Sequence, residues 1–170
     1  EEFEMGGMPT IDDSRCETPN VVLLLDRSGS MLDDMKWEQA TTAIETTIAP
    51  YFETLRFGLL PFPTGGSCGV MGEGLAIEIG ETDSADLEAI FNRSLPVDTA
   101  LTPIVESINA GKRALEAAHQ DDRRGFLILL TDGIETCAPE AIEDTAPVEA
   151  VRLAADAGYQ TYVIGFGTRV

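Results

Sequence analysis

Asp26, Ser28 and Ser30 stand at alternate positions directly after five consecutive apolar residues, in the stretch VVLLLDRSGSM at 21–31. All three carry side-chain oxygen, and the D-x-S-x-S spacing suits a hard cation. Mg²⁺ takes oxygen ligands, is satisfied by few charged ones and keeps several waters. An apolar run without polar alternation fits a strand buried on both faces, as in a parallel sheet. In open α/β sheets ligands bind outside the carboxyl ends of the strands, where these three residues would stand. The same residues also fit a plainer role, a strand end followed by a polar turn that caps a helix.

Two further stretches bear on the choice. A second apolar run, GFLILL at 125–130, ends in Thr131-Asp132-Gly133. If both runs are parallel strands, Asp26 and Asp132 share one edge of the sheet. Thr102-Pro103 reads as a helix start, with threonine at the cap and proline at the first helical position. That helix must descend so that the strand at 125–130 can rise again, so its N-terminus lies on the same edge. Asp26, Ser28, Ser30, Thr102 and Asp132 thus converge on topological grounds and form the candidate metal site.

The elements that must position them follow from periodicity. Residues 1–19 show none, and Pro9 and Pro19 mark them as a lead-in. Residues 21–25 form the first strand and 31–35 a turn. Trp37, Ala40, Ile44, Ile48 and Tyr51 then recur every three or four residues, one face of a helix that Pro50 ends or kinks. Residues 56–62 form a second strand, which Pro61 and Pro63 take out of the ladder early. Residues 75–79 read as an antiparallel edge strand. Asp83 or Ser84 caps the next helix, whose buried residues are Leu87, Ile90 and Phe91. The helix from Thr102 buries Ile104, Ile108, Gly111, Leu115 and Ala118. Residues 148–157 form the last helix, closed by Gly158, and 162–166 the last strand. Strands alternating with helices predict α/β architecture: a doubly wound, mostly parallel sheet with one antiparallel edge strand and helices on both faces.

Composition narrows the function. Thirty acidic against eleven basic residues leave a net charge of −19. That charge opposes nucleic acid and anionic membrane surfaces and permits cations or basic partners. It also fits a merely solvated surface. No apolar run approaches the ~20 residues that span a bilayer. The three cysteines, Cys16, Cys68 and Cys137, form no C-x-x-C pair, and His119 is the single histidine, so no zinc-type spacing is present.

With these residues in view, 20–170 resembles a von Willebrand factor A domain carrying a metal-ion-dependent adhesion site. The matching residues are Asp26-Arg27-Ser28-Gly29-Ser30, Thr102 in ALTP and Asp132 in LLTDG. DRSGSM, a Gly/Cys loop after Phe62-Pro63, and TDG followed by a cysteine resemble secreted bacterial members. The resemblance implies that Ser28, Ser30 and Thr102 touch the metal directly, while Asp26 and Asp132 act mainly through waters and through the hydroxyls. It implies Mg²⁺, or Mn²⁺ or Ca²⁺, as cofactor. Neutral hydroxyl ligands leave the cation's charge poorly compensated, so an open coordination position favours a carboxylate from outside.

The function so implied is a divalent-metal-dependent binding or adhesion module for a protein that presents Asp or Glu, and not an enzyme. The alternatives are a scaffold with a structural metal and, with less support, a metal-assisted hydrolase. Asp33-Asp34 is similar to an acidic pair that holds an adjacent Ca²⁺ in integrin β subunits, but the favoured reading is that Asp33 or Asp34 caps the helix and complements its dipole. Cys68 and Cys137 both fall on the metal edge and are placed to pair, which points outside the cell or to its surface; three reduced cysteines in a cytosolic protein remain the other reading. Cys16 would be free or paired elsewhere. The family adds one more strand and a final helix after the position of Val170. The expectation is therefore either a fragment or a sheet edge completed by another chain.

Overall fold

A computed structural model describes residues 17–70, 75–80, 82–119 and 123–166. The lead-in at 1–16, with Cys16, and the last four residues lie outside the described residues. The strands are β1 (Asn20–Asp26), β2 (Arg56–Phe62), β3 (Ile77–Gly80), β4 (Gly125–Thr131) and β5 (Gln160–Gly165). The helices are α1 (Lys36–Thr47), α2 (Ser84–Arg93), α3 (Ile104–Ala117) and α4 (Ala146–Asp156). The strands form one sheet in the order β3-β2-β1-β4-β5. β1 pairs parallel with β2 and β4, β5 parallel with β4, and β3 antiparallel with β2. This is the doubly wound α/β sheet with one antiparallel edge strand that the residue pattern predicts.

The core has two layers because alternate residues of a strand face opposite sides. Leu23 and Leu25 of β1 pack with Met31, Trp37, Ile44, Phe52, Leu87 and Phe91 on the α1 and α2 side. Val22 and Leu24 pack with Ile104, Ile108, Leu115, Leu127 and Ala154 on the α3 and α4 side. Each fully buried leucine of β1 is worth about 1.5–3 kcal/mol over an exposed one, so this strand anchors both layers.

Four expectations change in detail. α1 stops at Thr47, and a single tight turn at Ala49–Tyr51 holds Pro50. The phase slips there, so Tyr51 is exposed and Phe52 takes the buried place. Pro61 does not take β2 out of the ladder: β2 stays paired with β1 as far as Asp26 and Phe62. β3 pairs with β2 only at Phe57 and Leu59, so the proline falls where β2 has one neighbour. Residue 75 is outside β3, its N–H donating to the Glu78 carboxylate instead. At α3 the cap position belongs to Pro103, which has no side-chain cap bond, and not to Thr102.

Other local signals hold. Asp83 caps α2 by accepting from the N–H groups of Ala85 and Asp86. Gly158 follows α4 with φ +89, the left-handed position that glycine adopts freely. β5 is an edge among the described strands, and Tyr162, Val163 and Ile164 are about half exposed there.

Candidate functional site

Asp26 is the last residue of β1 and has no exposed surface. Its Oδ1 accepts from the Ser28 N–H at 2.8 Å, and its Oδ2 accepts from the Thr131 hydroxyl at 2.6 Å. Those bonds join the carboxyl ends of β1 and β4. Burial pushes the Asp26 carboxyl above the usual range, against the two donors, which pull it down. A charge placed so deep is costly unless positive charge comes close.

Beyond Asp26 the chain turns outward. The Ser28 and Ser30 hydroxyls lie 3.2 Å apart. The Ser30 hydroxyl donates to Asp132 Oδ1 at 2.7 Å, across a separation of 102 residues. Asp132 is itself buried, and its Oδ2 accepts from Lys36 Nζ at 2.7 Å. The carboxylate holds the Lys36 ammonium above its ordinary pKa, its hydrogen bond being the main cause.

A third segment closes on the same edge. The Gly29 N–H donates to the Ala100 carbonyl at 3.0 Å. A Cβ on Gly29 would lie 2.3 Å from the Asp98 carbonyl oxygen, so only glycine allows this approach. Thr102 is buried and is tied to the loop after β4: its N–H donates to the Thr136 hydroxyl at 2.9 Å, and its carbonyl accepts from the Thr136 N–H at 3.2 Å. Its hydroxyl lies 3.6 Å from where a Cβ of Gly133 would stand. Freed from capping α3, that hydroxyl is beside the residue that follows Asp132. The structure thus brings Asp26, Ser28, Ser30 and Asp132 into one hydrogen-bonded chain, with Thr102 at its flank.

Three supporting residues escaped the sequence reading. Thr131 links the two acids' strands. Thr136 anchors Thr102. Glu135, buried, accepts from the Val105 N–H with Oε2 and from the Cys137 and Ala138 N–H groups with Oε1. It therefore satisfies an open donor at the start of α3 from thirty residues away, and no local spacing announces that. The disulfide between Cys68 and Cys137 joins the loop after β2 to the same segment, with Cα atoms 5.6 Å apart. The Leu101 N–H donates to the Ser67 carbonyl at 2.8 Å, so this loop also braces the segment that leads to Thr102.

Asp33 and Asp34 do not cap α1, because Met35 holds the cap position. Among the described residues, no group of three or more His, Cys, Asp or Glu side chains is placed to hold an ion. The site has a different chemistry: three hydroxyls and two acids, all oxygen. That donor set fits a hard divalent ion and not zinc or another soft metal. Ser28, Ser30 and Thr102 would offer direct oxygen ligands, with Asp26 and Asp132 behind them.

The pattern described as von Willebrand factor type A domain matches residues 20–170. No curated protein sequence matches the chain. Among solved structures, the pilus adhesin SpaC of Lactobacillus rhamnosus GG is similar at TM-score 0.67 and 17% identity, over 88% of this chain and 25% of its own. Proximal thread matrix protein 1 from the mussel byssus is similar at 0.65 and 16%, over 89% and 38%. The manganese-loaded TRAP protein of Plasmodium vivax is similar at 0.59 and 16%, over 91% and 59%. The chain spans less than two thirds of each of these, and at such identities the likeness is one of fold.

Proposed function

On the premise that this chain belongs to the von Willebrand factor type A domain family, we propose that it is a protein-binding module of adhesion type that grips a partner carboxylate through a bound divalent cation. The observation that carries this reading is the chain of contacts from Asp26 through Ser28 and Ser30 to Asp132, with Thr102 alongside. Mg²⁺, Mn²⁺ or Ca²⁺ would be held by Ser28, Ser30 and Thr102 and supply an electrophilic position for an outside oxygen ligand. Hydroxyls leave most of the cation's charge uncompensated, so an Asp or Glu from a partner is the favoured last ligand. The disulfide that braces the rim would lower the ordering cost of that capture.

The pilus adhesin, the byssus protein and the manganese-loaded TRAP lend support by fold alone. A disulfide persists in oxidising surroundings, which favours the cell surface or outside as the setting. No helix among the described residues is long and apolar enough to cross a membrane. For hydrolysis, the one histidine is badly placed. His119 follows Ala118, whose carbonyl accepts from Asn20 at the opening of β1, the edge opposite the site.

The test is a thermal-shift series with Mg²⁺ and a glutamate-bearing peptide. Stabilisation by the peptide that needs Mg²⁺ and vanishes in Ser28→Ala supports the reading. Stabilisation by Mg²⁺ with no metal-dependent peptide effect would instead favour a scaffold whose metal is structural.

A further inference from the structure

Lys36 is one of two lysines in a chain of net charge −19. It stands on the first residue of α1, the end of a helix that disfavours a cation. The two residues before it, Asp34 and Met35, have φ of 52° and 55°, the left-handed region that non-glycine residues rarely adopt. Lys36 follows these two residues directly and begins α1. Lys36 Nζ lies 2.7 Å from Asp132 Oδ2 and 3.3 Å from the Ser30 carbonyl oxygen. The Asp132 side chain is 1% exposed and that of Lys36 19%, so the acid end of the pair is the one shielded from solvent. With the Ser30 hydroxyl on Oδ1, each Asp132 oxygen has a donor.

An ammonium has three donors and no lone pair, so it cannot be a ligand to a metal. It can only balance charge. A divalent ion arriving among Ser28, Ser30 and Thr102 meets a positive charge already seated on one of the two acids behind them. We propose that Lys36 is the resident counter-cation of this site: the divalent ion binds by taking Asp132 from Lys36, and Lys36 thereby sets a weak metal affinity. The same lysine ties the Ser30 backbone to Asp132 in the loop after β4. This inference rests on the metal reading above, and its test separates the two.

The experiment is calorimetric titration of Mg²⁺ into the chelator-stripped chain, for wild type, Lys36→Met and Lys36→Arg. Lysine side-chain ¹⁵N NMR is recorded on the wild type, with Lys112→Arg to assign the signal. A like charge at ion-pair range is worth about a factor of ten in affinity. Lys36→Met therefore binds Mg²⁺ about tenfold more tightly, yet melts lower than wild type in chelator. Lys36→Arg keeps the charge and stays within about threefold of wild type. The Lys36 ammonium signal is held in chelator and is lost or shifted at saturating Mg²⁺. Equal Mg²⁺ affinity in wild type and Lys36→Met, or a Lys36 signal that Mg²⁺ leaves in place, overturns the proposal while the metal reading stands. Absence of binding by Mg²⁺, and by Mn²⁺ and Ca²⁺ titrated in the same way, in all three proteins removes the metal reading and this inference together.

Discussion

Gly29→Ala tests whether the serine loop and the segment leading to Thr102 are held together by contact. The added Cβ would stand 2.3 Å from the Asp98 carbonyl oxygen, 2.9 Å from its carbon and 3.2 Å from its Cα. All three are backbone atoms, so no side chain can swing aside. Overpacking of this kind costs about 1–3 kcal/mol. Separation of the two segments also loses the 3.0 Å bond from the Gly29 N–H to the Ala100 carbonyl, worth about 1 kcal/mol. The expected loss is about 2–4 kcal/mol, a fall in Tm on the order of 5–15 °C for a chain of this size. Gly66→Ala is the control. Its φ is +59 and nothing lies within 4 Å of its Cβ, so only backbone strain is felt, about 1 kcal/mol. Urea unfolding of both variants, followed by Mg²⁺ titration, reads the difference. The reasoning fails if Gly29→Ala costs no more than Gly66→Ala, or if it leaves Mg²⁺ affinity unchanged.

Other outcomes follow from the same contacts. The disulfide closes a separation of 69 residues, so the Cys68→Ser/Cys137→Ser double variant should lose about 4 kcal/mol in urea unfolding on the chain-entropy model; a loss below about 1 kcal/mol would show that native contacts alone hold the loops. Glu135→Ala leaves the N–H groups of Val105, Cys137 and Ala138 without their acceptor, and equilibrium unfolding should show a loss of about 3 kcal/mol. Burial raises the Asp26 carboxyl, so folding favours its protonated form. Its contribution to metal-free stability is therefore full below the ordinary carboxylate pKa and is lost as pH rises through the raised folded value. Asp26→Asn should then be at least as stable as wild type at neutral pH in chelator, because the Thr131 hydroxyl can turn toward the Gly133 carbonyl, 3.4 Å away, and accept from the amide. Melts across pH should show that advantage shrinking on acidification, and an advantage that grows instead would reverse the assigned sign.

The frame of the site was legible in the residues because parallel strands leave little freedom. Two apolar runs, each ending in an aspartate, have to bring Asp26 and Asp132 to one edge, and a helix that returns from Thr102 has to start there. What escaped depends on pairs far apart in sequence. Thr131 reaches Asp26 across 105 residues and Glu135 reaches Val105 across 30, and neither leaves a periodic mark. Thr102 resembled a cap because Thr-Pro commonly opens helices, but Glu135 meets an open donor there and the threonine faces the cleft edge instead. No spacing marks Lys36, which follows the left-handed pair Asp34-Met35 and reaches Asp132 across 96 residues. Tyr51 and Phe52 exchange places because one proline-bearing turn shifts the helical phase, and periodicity carried past a proline loses its register.

The most direct measurement is calorimetric titration of Mg²⁺ into the chelator-stripped wild-type chain, with Ser28→Ala and Thr102→Ala beside it. One saturable site is predicted, weakened about tenfold or more in each variant, since the two hydroxyls come from different loops and serve the same ion. Binding that both variants leave untouched, or no binding of Mg²⁺, Mn²⁺ or Ca²⁺ in the wild type, would contradict a metal site at this sheet edge.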